Sequence, residues 1–212
     1  GVVDDTHEGT IPLPSGSPSA AAKAYSPYAG RSYPTRVLWG DTHLHSANSG
    51  DAFTTGNRFT PEQTYRIARG EEVISATGLP ARLPRPLDFV VLSDHSEGLG
   101  LITEVYNGNP ALTGDSTVAR WGQMIKEGGE VAATAVGELI GAQATNSLPA
   151  VLTDPKVAGP LMMSVWQRAA AMADKYNEPG RFTTIIGFEW TPTPGGDNLH
   201  RNVLLRDGQD RA

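Results

Sequence analysis

The 212-residue chain contains no cysteine. That excludes disulfides, thiolate metal sites and a cysteine nucleophile, and leaves histidine and carboxylate as the strong metal ligands. It has no run of Lys or Arg, and its 23 acidic residues against 17 basic ones give a formal net charge of −6. This balance argues against a nucleic-acid partner, although bound cations supply positive charge that a residue count omits. No apolar run approaches the length of a bilayer crossing, so no membrane span is expected. The composition fits a periplasmic or secreted protein and a cytoplasmic one alike, and the first residue, Gly1, is compatible with a signal or tag already removed. The length suits one domain with a sizeable core, or part of a larger one.

What is present centres on Val37-Leu38-Trp39-Gly40-Asp41-Thr42-His43-Leu44-His45, with Ser46 next and Asp51 six residues after His45. Arg36 to Leu38 reads as a buried strand running into a polar loop. Side chains two apart on extended chain point the same way, so His43 and His45 aim at one spot while Leu44 turns into the packing. Two converging imidazoles can share zinc, iron or manganese.

Residues 1–36, rich in Pro, Gly, Ser, Ala and Tyr, read as an extended N-terminal arm, and His7 within it as a solvated side chain. A domain then runs from 37 to 212. Thr60-Pro61-Glu62-Gln63 spells a helix start with a capping box, and Gly70 its stop. Leu79 to Pro86 reads as a turn-rich connector. Leu87 to Leu92 reads as a strand buried on both faces, ending in Ser93-Asp94-His95-Ser96-Glu97. Residues from about 99 to 178 read as a helical insertion. Trp121, Met124 and Ile125 form a short amphipathic segment, Asp154-Pro155 a further helix start, and Met162, Val165, Trp166, Ala169, Met172, Ala173 and Tyr176 one core-facing stripe. Phe182 to Phe188 is a third strand, delivering Glu189 and then His200, and Val203-Leu204-Leu205 begins a fourth.

Three strands therefore end in His43/His45/Asp51, in Asp94/His95/Glu97, and in Glu189 with His200. As parallel neighbours they would gather these groups at one rim, where α/β folds place their chemistry. That donor set suffices for two or three divalent ions, with Glu189 bridging two of them. Ions about 3.5–4 Å apart share a hydroxide and clamp the oxyanion it attacks. Arg58 and Arg201 are the candidates for gripping the remaining oxygens of a phosphate or sulfate, with an ordinary surface salt bridge as the alternative for each. Asp41, Asp94 and Glu97 are expected to orient imidazoles or to ligate directly.

These motifs carry a resemblance. Gly40-Asp41-Thr42-His43-Leu44-His45 with Asp51, Ser93-Asp94-His95, and Gly187-Phe188-Glu189 followed by His200 resemble the first three metal-binding motifs of the polymerase-and-histidinol-phosphatase (PHP) superfamily. The longer strings RPLDFVVLSDHSEGLG and PGRFTTIIGFEWTPTPGGDNLHRNV are similar to a large branch of it labelled as a domain of unknown function. The likeness runs from about Val37 to Asp207. It implies an α/β fold, the N-terminal part of a distorted (β/α)7 barrel, and hydrolysis of small-molecule phosphate esters, or of sulfate esters, by a metal-bound hydroxide. By that likeness His43 and His45 hold one ion, Glu189 bridges it to a second served by His200, and Asp51 and His95 serve a third. The superfamily's closing Asp-x-His is missing after Glu189, where Asp207 and Asp210 offer carboxylates without a histidine. A further barrel segment or a partner chain is therefore expected to complete the site. Two rivals stand beside this reading. An amidohydrolase also opens with His-x-His but places a bridging modified lysine where this chain has Glu189. The other is a barrel remnant that binds metal without turnover.

Overall fold

The computed structural model describes residues 36–194 and 197–212. The arm expected over 1–36, His7 included, lies outside the described residues apart from Arg36. The unit that carries the candidate site is Trp39–Ala212.

Its strands and helices alternate in the manner of an α/β protein. Strand β1 (Gly40–Leu44) leads to helices α1 (Gly50–Thr54) and α2 (Pro61–Ala68), then to the short strands β2 (Val73–Ile74) and β3 (Pro80–Ala81), and to β4 (Phe89–Leu92). Six helices follow: α3 (Leu101–Asn107), α4 (Pro110–Thr113), α5 (Ser116–Glu127), α6 (Gly129–Ala144), α7 (Ala150–Thr153) and α8 (Ala158–Tyr176). Strands β5 (Thr183–Trp190) and β6 (Arg201–Leu204) end the order.

The main sheet runs β1-β4-β5-β6 and curls into half a barrel. The β1–β4 and β4–β5 pairs are parallel, as the gathering of three motifs at one rim requires. β6 runs antiparallel to β5. The loop from Thr191 to His200 is too short for a parallel crossover, so the fourth strand returns beside the third and does not begin another β/α unit.

The first strand starts later than the sequence predicts. Val37, Leu38 and Trp39 are 65%, 56% and 60% exposed, and the ladder opens only where Asp88 N–H donates to Trp39 O at 2.7 Å. Pairing with β4 then selects Gly40–Leu44, so apolar character in 37–39 does not mark the buried segment. The slip leaves the two histidines where alternation needs them. His43 ends the strand's open face, Leu44 packs into the core, and His45 begins the loop.

Two clusters make the interior. Tyr65 and Ala68 of α2, Val90 and Leu92 of β4, Ala170, Ala173 and Tyr176 of α8, and Phe182 and Ile186 form the one behind the sheet. Phe53, Leu101, Ile102, Val105, Leu112, Val118, Trp121 and Ile125 form the other, among the helices. Helix α8 joins them, since Ala158 and Leu161 near its start pack on the second cluster and its later turns on the first. Its second half thus acts as the crossover helix that returns the chain to β5. Asp154 ends α7 and its carbonyl accepts from Val157 N–H and Ala158 N–H, so α8 begins at Ala158 and not at Asp154-Pro155. Helix α2 carries the expected capping box, with Thr60 and Gln63 each taking the other's backbone N–H. The connector read over Leu79 to Pro86 opens with β3, which pairs back antiparallel onto β2 (Val73–Ile74) ahead of it.

Candidate metal centre

The parallel register sets the motif-bearing ends side by side. The bond Ser93 N–H to Leu44 O, at 2.8 Å, ties the β4 end to the β1 end. A bridge pairs His95 with Glu189, and Ser96 N–H donates to Glu189 O at 2.8 Å. Segments more than forty residues apart in sequence are thereby held backbone to backbone, and their side chains meet.

Glu189 is at the centre, with no solvent exposure. Its Oε2 lies 2.9 Å from His43 Nε2, 2.8 Å from His45 Nε2 and 3.6 Å from His95 Nε2, and its Oε1 contacts His200 Nδ1 closely. Asp51 closes the far side, with both oxygens 3.1 Å from His45 Nδ1 and Oδ2 3.6 Å from His95 Nε2. Three groups result, each with donor atoms within 4.8 Å of one another: His43/His45/Glu189, His45/Asp51/His95 and His95/Glu189/His200. Any of them could hold a metal ion. All six residues expected as ligands are present in these groups, but His45 and His95 are each shared between two of them.

One atom bears directly on whether a cation fits. Among the described residues, the buried His45 Nε2 has no hydrogen-bond partner, because its 2.8 Å approach to Glu189 Oε2 lacks hydrogen-bond geometry. A buried polar atom left unpaired costs stability unless something else satisfies it. Here the opposite nitrogen of the ring faces Asp51, which fixes the proton on Nδ1 and leaves a lone pair on Nε2. That lone pair, a buried carboxylate and a second imidazole suit a divalent cation.

The electrostatics agree. Among the described residues no Lys or Arg pairs with Asp51 or Glu189; their ion-pair partners are imidazoles. Burial raises the Glu189 carboxyl, but hydrogen bonds from His43 and His200 outweigh it and the group is held below its usual range. Asp51 is lowered further: burial opposes ionisation, and hydrogen bonds from His45 and Ser49, with the His95 ring 3.6 Å away, overcome it. Burial pulls His45 down, yet the Asp51 hydrogen bond and the surrounding carboxylates leave it raised. His95 is raised by the Asp51 carboxylate beside it, with burial opposing. The site gathers negative charge and answers it only with protons.

Both proposed clamps are elsewhere. Arg58 donates to the carbonyls of Phe53 and Asn57, and its guanidinium carbon lies 3.7 Å from the Phe53 ring centroid. It is consumed in packing α1. The register pairs Glu189 with Asn202 and Trp190 with Arg201. Paired residues share a face and successive residues alternate, so Arg201 lies with Trp190 on the face away from Glu189, 5.3 Å from its ring. Neither arginine is placed to grip a substrate oxygen at the cluster.

The three carboxylates expected to orient imidazoles or to ligate directly hold neighbouring backbone, and in one case a hydroxyl. Asp41 accepts from His43 N–H at 2.8 Å. Asp94, 4% exposed and raised by burial, accepts from Ser46 N–H at 2.6 Å and Ser46 Oγ–H at 2.7 Å. Glu97 accepts from Thr191 N–H at 3.1 Å. Each fixes a segment that carries a ligand candidate.

Three neighbours were not foreseen. Ser49 donates from Oγ to Asp51 at 2.6 Å and accepts from His95 N–H. Thr191 Oγ1 touches His95, His200 and Glu189. Asn202, beside Glu189 in the ladder, donates to Thr42 O at 2.9 Å. Alternation from Glu189 could have flagged Thr191; Asn202 needs the β5–β6 register, which no local pattern reveals.

Comparison with known proteins adds one relationship. No curated protein and no solved structure matches the chain. The family described as "Protein of unknown function (DUF3604)" matches residues 32–212. A match spanning both the curled sheet and every residue of the cluster shows that this chain belongs to the DUF3604 family.

Proposed function

We infer that this chain forms the metal-binding part of a hydrolase that cleaves phosphate esters, or related oxyanion esters such as sulfate esters, of small molecules. The observation that carries the reading is the buried, unpartnered Nε2 of His45 directed at the buried carboxylate of Glu189. The order of the motifs and the parallel β1-β4-β5 core support kinship with the PHP superfamily and the role of this sheet as the N-terminal part of a (β/α)7 barrel.

His43, His45 and Glu189 would hold one ion, and His95, Glu189 and His200 a second, with Glu189 common to both. His45 turns Nδ1 to Asp51 while Nε2 faces Glu189, and one neutral imidazole does not use both nitrogens as ligands. Asp51 therefore serves as the partner that orients His45, which favours two ions over three. The nitrogen and oxygen donor set suits zinc, manganese or iron. Such ions, when bound, activate water near neutral pH and stabilise charge on the attacked ester. Glu189, ionised and out of solvent, sets the charge of the site. His43 and His200 have side chains 51% and 46% exposed, so an ester anion approaches from their side. His45 and His95, at 13% and 15%, close the floor.

The test is elemental analysis of protein purified without chelator, followed by turnover of aryl phosphate and aryl sulfate at equal metal loading. Bound transition metal and chelator-sensitive hydrolysis are expected. Turnover indifferent to chelator would remove the reading.

A further inference from the structure

Thr191 stands one residue past β5, two after Glu189 and on its face, and is 6% exposed. Its Oγ1 lies 3.0 Å from His95 Nδ1, 3.3 Å from His200 Nδ1 and 3.3 Å from Glu189 Oε1. Its backbone N–H is fixed by Glu97 at 3.1 Å, so the hydroxyl is held in place. A hydroxyl has one proton to give and two lone pairs to accept with. The ionised Glu189 carboxylate can only accept. Once the Thr191 proton goes to Glu189, Oγ1 is left to accept from ring N–H groups, and the nearest is His95 Nδ1. The Nε2 of that ring then carries a lone pair, and it faces Glu189 Oε2 and Asp51 Oδ2, each at 3.6 Å.

The geometry points to Thr191 as a positioning residue: its hydroxyl holds His95 in the Nδ1–H tautomer, so that Nε2 is presented to a divalent cation. The purpose rests on the metal-site reading above; the tautomer does not. This is the arrangement by which groups behind a ligating histidine set its orientation and basicity.

The experiment compares the unaltered protein with Thr191→Val, which keeps the shape and removes the hydroxyl, and Thr191→Ser, which restores it. Ring-nitrogen NMR of the metal-free proteins at about pH 9, above the ordinary imidazole range, reads the tautomer, with His95 assigned from a His95→Gln spectrum. The unaltered and Ser proteins should carry the His95 proton on Nδ1, and the Val protein should show a mixture. Zinc affinity, measured by competition with a chromophoric chelator, should fall about 10–100-fold in Thr191→Val and recover in Thr191→Ser. A His95 proton on Nε2 in the unaltered protein overturns the proposal whether or not the variants fold. So does a Val variant with unchanged tautomer and zinc affinity. An unaltered protein that shows the Nδ1–H tautomer but binds no zinc would overturn the metal reading and leave the orientation of His95 by Thr191 standing.

Discussion

At the scale of single residues, the chemistry turns on His45. Its Nδ1 is turned to Asp51 and its Nε2 has no hydrogen-bond partner among the described residues, so truncation removes a ligand and the contact with Asp51. His45→Ala should lose metal and activity while costing on the order of 1 kcal/mol of stability, checked by elemental analysis beside a thermal melt. Asp51→Asn probes the neighbouring contact. It should weaken zinc binding about 10–100-fold with the ion count unchanged; one ion fewer would make Asp51 a direct ligand. Proton competition gives a signed pH dependence. His45 and His95 are raised above the ordinary 6.5. In the metal-free protein their protonated forms therefore contribute stability that is complete below about pH 6.5 and is lost as pH rises through the higher folded values. Cations bind the deprotonated rings, so the gain in melting temperature on adding zinc should grow from about pH 6 to about pH 8. A gain independent of pH across that window would mean that these imidazoles are not the ligands.

At the scale of elements, the turn chemistry and the strand ends were legible, and the register was not. The capping box at Thr60 and Gln63 could be read because every partner lies within four residues. Thr60→Ala should cost about 1 kcal/mol, because Gln63 N–H loses its acceptor while the residue-60 N–H keeps Gln63 Oε1, measured by denaturant unfolding. Strand β4 could be read because burial on both faces writes a continuous apolar run. The edge strand β1 could not, since apolar Val37, Leu38 and Trp39 are exposed and the ladder pairs Gly40, Asp41 and Leu44, with an irregularity between Asp41 and Leu44. The placement of Arg201 failed for a related reason: nearness to His200 in sequence suggested the site, and pairing with Trp190 put it on the other face. A close approach at Gly187 ties the same register to packing. A Cβ there would come within 2.6 Å of Val203 O and 2.7 Å of Val91 Cγ1, contacts that backbone and a packed side chain cannot easily relieve. Gly187→Ala should accordingly destabilise the chain by about 1–3 kcal/mol, seen as a lower unfolding midpoint, while a change within about 0.5 kcal/mol would contradict the β5–β6 pairing.

At the scale of the whole molecule, the sheet exists in order to bring distant segments together. Two parallel crossovers set β1, β4 and β5 side by side, and with them the three motif-bearing ends. The six ligand candidates were legible because each is a histidine or carboxylate in a short motif at or beyond the end of an extended segment; Ser46 and Ser49, which hold them, were not, because hydroxyls are common and only the fold distinguishes these two. The most direct test is anomalous scattering at the zinc, iron and manganese edges from a crystal of the protein grown without chelator. Two peaks flanking Glu189 are expected, one in ligand range of His43 and His45 and the other of His95 and His200. Density without such a peak, with the four imidazoles satisfied by protein groups alone, would contradict that expectation.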